Sequence, residues 1–255
     1  MNWRHFSYVL YQTTRASFLS EEKNSSLGLI WHLLNPILMT AVLFMVFRNV
    51  DRFSQVEHYE LFILIGLIHY NFFINSTTRC SLNFLRSRSL ILNTTVPRQL
   101  LVLRQICIEG LTLMIEILLV LLLGIFMGAN FGPAMLVYPV VFVGILALAL
   151  GASLGLCALV VFLSDLSYVW SLFCRVLFFI TPVFYAPKIV GEGFARVVID
   201  LNPLSGLIAL ARESLLYGGR IEPSQVSLAL LGPAIVLVVG WLLFRTTSPK
   251  IPDYI

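Results

Sequence analysis

Among the ionisable side chains inside long apolar stretches of this sequence are His69, Glu109, Glu116 and Arg175. Glu109 and Glu116 are seven residues apart, so on a helix they share one face about two turns apart. With an imidazole nearby, carboxyls so placed could relay protons. A carboxylate and a guanidinium could instead neutralise one another. Counting ~1.5 Å per residue from the arginine-rich side puts Glu109 and Arg175 both roughly 12 Å into a bilayer. An unpaired charge at that depth is costly. Glu109 and Arg175 are therefore expected to approach each other or to join one polar network. The alternative is that Arg175 snorkels to the headgroups and Glu109 is protonated. Glu116 and His69 reach similar depths near the midplane, where a structural hydrogen bond is the simpler expectation than a relay.

Nothing else in the sequence is assembled for chemistry. No phosphate loop of the G-x-x-x-x-G-K-S/T type occurs, no H-E-x-x-H, and no H-x-E followed by C-x-x-C. The four histidines are scattered. The four cysteines, Cys80, Cys107, Cys157 and Cys174, lie in or beside apolar runs and read as free thiols packed as small apolar residues. The sequence offers no catalytic residue and no metal ligand set.

The elements that must position these groups are membrane helices. Hydrophobic residues make up 58% of the 255-residue chain and charged residues 12%, about half the usual share for a soluble domain. This predicts one all-α polytopic membrane domain. No clustered basic face for nucleic acid is present, and no cleavable signal peptide is expected. Residues 1–24 predict an amphipathic helix in the headgroup layer, with Trp3, Phe6, Leu10, Thr13 and Ser17 on one arc. Arg4, Tyr8, Gln12 and Arg15 fall on the opposite arc.

Six spans are expected, at about 28–47, 61–78, 101–127, 135–163, 168–184 and 226–244. Pro36 predicts a kink or early break in the first. The second is unusually polar, with His69, Asn71, Asn75, Thr77 and Thr78, and should line a conduit. Gly144, Gly151, Ser153 and Gly155 in the fourth allow close helix packing. Between residues 186 and 225 the chain breaks into apolar pieces too short to span, which predicts re-entrant or interfacial helices. The loop 79–104 carries Arg79, Arg86, Arg88, Arg98 and Arg104, no acidic residue, and interleaved leucines. It predicts a cytoplasmic docking element with a short helix lying flat. With both termini cytoplasmic, ten Lys or Arg lie inside and six outside, as the positive-inside rule expects.

Four stretches in this order resemble the membrane subunit of type-2 ABC transporters, in the polysaccharide and O-antigen exporter branch. They are SSLGLIWHLLNP (25–36), NFLRSRSLILNTTVPRQLLVL (83–103), SDLSYVWSLFCRVLFFITPVFY (164–185) and LNPLSGLIALARESLLYG (201–218). The chain departs from the family pattern at SEEKN (20–24) and at Ser164. The resemblance implies a homodimer in the bacterial inner membrane, with two ABC ATPase subunits that bind ATP and Mg; this chain itself would hold no cofactor and be no enzyme. It implies a polyprenyl-linked polysaccharide as cargo, as in lipopolysaccharide biosynthesis. It places ATPase coupling on Phe6, Arg15, Asn83, Leu85, Arg86, Arg88, Pro97 and Arg98, and an external gate on Asn202, Pro203 and Arg212.

A glycan conduit wants aromatic stacking surface and exchangeable hydrogen bonds. Tyr70, Asn71, Phe73, Asn75, Phe178 and Tyr185 supply both and are the expected lining, with Tyr70, Phe73 and Phe178 facing the pathway. The alternative for the aromatics is a core, lipid or interfacial position. A small lipid or drug as cargo, or a proton-coupled carrier, are the competing functions.

Overall fold

A single long helix, Tyr59–Arg86, runs through the centre of the molecule, with 78% of its apolar stretch buried. In the computed structural model the described residues are 3–23, 30–48, 56–87, 97–129 and 131–251; side chains of the first helix are described from residue 6 to 19. In chain order the helices are α1 (Trp3–Lys23), α2 (Ile30–Phe47), α3 (Tyr59–Arg86), α4 (Gln99–Met127), α5 (Tyr138–Val160), α6 (Leu166–Ile180), α7 (Phe194–Leu201), α8 (Pro203–Arg212) and α9 (Pro223–Thr247). One turn of π-helix, Glu213–Tyr217, continues α8, and a short 3-10 helix, Pro133–Val137, leads into α5. Among the described residues there is no strand.

Five helical stretches are long and apolar enough to cross a membrane: α2, α3, α4, α5 with its 3-10 lead, and α9. They correspond to the first, second, third, fourth and sixth expected spans. The fifth is shorter than expected. α6 ends at Ile180 after 15 residues, about 22 Å at ~1.5 Å per residue. The cause is Pro182, which disfavours helical backbone at the residue before it; Thr181 is extended (φ −84°, ψ 131°).

The helix α2 continues through Pro36, so the first span has no early break there. One further expectation is corrected. The arginine loop is shorter at both ends, because α3 continues to Arg86 and α4 begins at Gln99. Helix periodicity does not stop at the first arginine: Cys80, Ser81 and Phe84 remain buried, and Phe84 meets Phe244 of α9 edge to face at 6.0 Å. Leu82 and Leu85 thus belong to α3, not to a separate flat helix. Arg88, Leu90, Ile91 and Leu92 lie outside the described residues.

Helix ends follow local chemistry. Gly128 takes a left-handed conformation (φ 72°) and stops α4. Glu222 and Gln225 form a capping box at the start of α9, with Pro223 in its first turn. At the corner between α7 and α8 the backbone of Asn202 is extended, and its Oδ1 accepts from Leu204 N at 3.1 Å while Pro203 fixes the first helical turn. The two helices meet there at 75°.

The most extensive helix contact is between α5 and α9. A Cβ on Gly240 would enter the Gly151 backbone, and one on Gly151 would lie 2.5 Å from Leu237 Cα. The small residues of the fourth span therefore serve close packing. Gly240→Val is expected to cost about 1–3 kcal/mol, read as a lower melting temperature of the purified chain. An unchanged melting temperature would contradict this contact.

Candidate translocation cleft and coupling surface

Helical spacing brings three sets of polar residues to one place. On α3, Asn71, Asn75 and Arg79 recur every four residues; on α4, Glu109, Thr112 and Glu116 recur at three and four. On α2, Trp31, His32 and Asn35 occupy neighbouring positions of one face. Together they line a cleft of about 330 Å³ between α2, α3 and α4. Asn35 and Asn75 are exposed, as is Trp31, at 53% of its surface, so the cleft opens to the outside of the chain.

A hydrogen-bonded chain leads from the cleft to the end of α3. Asn83 Nδ2 donates to Gln105 Oε1 at 3.0 Å, and Gln105 Nε2 donates to Glu109 Oε1 at 3.0 Å. The same carboxylate oxygen lies 3.4 Å from Arg79 Nη1. Glu109 is thus paired with Arg79, eight residues below Asn71 on the cleft face, and not with Arg175. The reason is helix adjacency: α6 packs against α3 and α5, and Arg175 rides on its exposed face with Leu172, Val176 and Phe179. Equal depth on two helices does not make them neighbours.

His69 is likewise committed elsewhere. Its Nδ1 donates to Ile65 O at 2.7 Å, and its Nε2 accepts from Tyr138 Oη at 3.0 Å, an assignment that follows from the carbonyl acceptor. It forms a structural bond to α5 and no relay with Glu116.

The expected lining set divides along the helix wheel. Asn71 and Asn75 open into the cleft. Tyr70, Phe73 and Thr77 occupy roughly the opposite face of α3 and fasten α6. Tyr70 Oη donates to the Cys174 carbonyl, and its ring meets Phe178 edge to face at 5.1 Å. Phe73 contacts Trp170 at 6.3 Å, whose Nε1 donates to Thr77 Oγ1 at 3.0 Å. Tyr185 Oη donates to Phe179 O at 2.8 Å beside a separate apolar hollow near Phe194 and Ile199. The aromatics hold helices together; the amides face the cleft. Trp31 and Asn35 escaped the sequence reading, although an exposed i, i+4 indole and amide in an otherwise apolar span is a signal that could have found them.

Arg212 is buried at 3% exposure and ties three segments together. Its Nε donates to Phe62 O of α3 at 3.1 Å, Nη1 to Pro182 O at 2.8 Å and Nη2 to Val183 O at 2.6 Å. The guanidinium also lies over the Phe62 ring at 3.4 Å. Gly66 leaves it room, since a Cβ there would lie 2.5 Å from Nη2. Asn202, at the helix corner, donates from Nδ2 to Thr181 Oγ1 at 2.9 Å. Asn202 fastens the α7–α8 corner to the end of α6, and Arg212 fastens the far end of α8 to α3 and to the segment after α6.

At the opposite end of α3, α1 lies against α4. Phe6, Leu10, Thr13 and Ser17 turn inward, with Thr14 fully buried, while Tyr8, Gln12 and Arg15 are exposed. The two arcs agree with the amphipathic pattern, but the inward arc is turned to protein. Arg86 is exposed, and Leu85 and Pro97 are half-buried. Arg98 donates to the backbone carbonyl of Ser248, and to its Oγ at 3.3 Å, clamping the start of α4 to the end of the last helix.

The family model described as "ABC-2 type transporter" matches residues 8–216, from α1 through the π-helical turn. The chain belongs to this ABC-2 type transporter family. Two curated relatives are the O-antigen export system permease protein RfbA of Klebsiella pneumoniae and that of Myxococcus xanthus. The first is 28% identical over 224 residues, covering 88% of this chain and 85% of the relative. The second is 26% identical over 231 residues, covering 90% and 88%. This ABC-2 chain is a multi-pass membrane protein, and its family implies an ATP-hydrolysing partner. The matched region contains the whole cleft, the Arg212 brace and the Arg86–Gln99 connection.

Proposed function

We propose that this chain is the membrane-spanning subunit of an ATP-driven exporter that carries a lipid-linked, O-antigen-like polysaccharide across the bacterial plasma membrane. Two copies would enclose the pathway, and two ATPase subunits would dock at the end bearing α1, Arg86 and Arg98, on the cytoplasmic side. The α7–α8 corner would then sit at the external mouth as a re-entrant gate. ATP and Mg would reside in the partner subunits. The observation that carries this reading is the open polar cleft beside α3, where Asn71, Asn75 and Glu109 stand at a depth that lipid cannot solvate. The printed names of the relatives supply the cargo class. Of Glu109, Glu116 and His69, the groups a proton-coupled carrier would use, Glu109 and His69 are held in hydrogen bonds to neighbouring helix residues.

Deleting the gene, with a complementing copy as control, is expected to leave finished lipid-linked polysaccharide on the cytoplasmic side and none at the surface. Normal surface glycan in the deletion strain would remove the cargo assignment. Arg98→Ala in the complementing copy tests the coupling role. It is expected to lower surface glycan about fivefold, a coupling loss of about 1 kcal/mol, with the amount of protein in the membrane unchanged. Full export by Arg98→Ala would place coupling elsewhere.

A further inference from the structure

We infer that the cleft between α2, α3 and α4 is a binding subsite for a single sugar residue of the cargo, with Trp31 as its stacking surface; this rests on the exporter reading above. Asn75 lies 11 residues from the Arg86 end of α3, about 16 Å along the helix. An exposed carboxamide that far into a membrane segment has no partner in hydrocarbon. Asn35 on α2 presents a second exposed amide to the same cleft, and Glu109 and Glu116 close its floor. The site is therefore wet or filled by a polar ligand.

The chemistry of the walls selects among polar ligands. Amides both donate and accept, and carboxylates accept from paired hydroxyls, so the set complements a polyol. The indole of Trp31 offers an apolar face to the C–H side of a pyranose ring. The one guanidinium, Arg79, stands against two carboxyl groups and is already paired with Glu109. Among the described residues a diphosphate would meet two carboxyl groups, the Arg79 already paired with one of them, and the His32 imidazole, a balance that favours the sugar over the carrier-lipid headgroup as the ligand. The cleft, of about 330 Å³, has room for one pyranose ring with bridging waters.

The test is protection of an introduced thiol. Asn75→Cys and, separately, Asn35→Cys are placed in the full-length chain with its ATPase partner. Membranes come from cells that make the glycan and from the same cells blocked in its synthesis. A membrane-impermeant, charged maleimide is applied to opened vesicles, with the parent chain as background and Leu118→Cys on the exposed apolar face of α4 as the unreactive control. Both cleft thiols are expected to react in glycan-free membranes and about threefold more slowly when glycan is present, as for a site two-thirds occupied. Equal reaction with and without glycan overturns the subsite, and so does no reaction at either cleft position. The deletion strain separates the two claims. Loss of export on deletion with no protection in the cleft defeats the subsite alone, whereas unaffected export defeats the exporter reading on which it rests.

Discussion

Arg212→Met is expected to lower the melting temperature of the purified protein by about 10 °C. The guanidinium donates to three main-chain carbonyls, Phe62, Pro182 and Val183 O, on segments separated by up to 150 residues. Removing it takes the charged donor away from three main-chain carbonyls. Hydrogen bonds to a charged group contribute about 1.5–3 kcal/mol each. Relief of the buried charge offsets part of that sum, leaving about 3 kcal/mol, which at 2–4 °C per kcal/mol is about 10 °C. Arg212→Lys keeps the charge but not the fork that reaches three acceptors, so it should fall between the two. A methionine variant that melts within about 2 °C of the parent would show that the brace does not hold the end of α8. Because the start of α8 is tied separately through Asn202, such a variant would point to the Asn202–Thr181 bond as the fastening that matters.

The second large effect belongs to Arg79. Arg79→Gln strips the partner from a carboxylate whose side chain is 4% exposed, while Arg79 itself is 41% exposed. A fully buried pair broken on one side costs about 3–5 kcal/mol; discounted for the solvent around Arg79, about 2 kcal/mol is expected. Glu109→Gln keeps the acceptor for Gln105 and should be milder. The double variant Arg79→Gln, Glu109→Gln should recover most of the loss, because no buried charge is then left unpaired. Arg175→Gln should shift stability by less than about 0.5 kcal/mol, as for a surface position. If the double variant were as unstable as the sum of the two singles, the pair would not be coupled. If Arg175→Gln proved as damaging as Arg79→Gln, the outward placement of that side chain would be contradicted.

The number and order of the helices were legible because apolar runs of span length, broken by charge and by Gly or Pro, leave little choice of element. The division of residues 186–225 into short helices was legible from their Gly and Pro breaks; the Asn202–Pro203 corner itself was not read, although a capping amide followed by proline is a signal that could have placed it. The small residues of α5 also read correctly as a close-packing face. Neighbourhood was not legible. Glu109 and Arg175 matched in depth, yet which helices touch depends on how six segments wind around α3, and no spacing within one helix encodes that. The lining set failed at finer scale. Tyr70 and Asn71 are adjacent in sequence but 100° apart on the helix, so they cannot face the same space. Judging the residues by chemistry alone merged the face that fastens α6 with the face that opens to the cleft. The end of α3 was misplaced because arginine was read as the end of a membrane span, whereas Phe84 still had a ring of α9 to bury against.

Movement of radiolabelled lipid-linked glycan into inverted membrane vesicles tests the central claim most directly. Vesicles holding this chain and its ATPase partner should sequester the glycan only when ATP is supplied, and a protonophore should leave the rate unchanged. Vesicles lacking this chain should sequester none. Sequestration that proceeds without ATP and collapses with the proton gradient would contradict the account, and would return Glu109, Glu116 and His69 to consideration as the groups that drive transport.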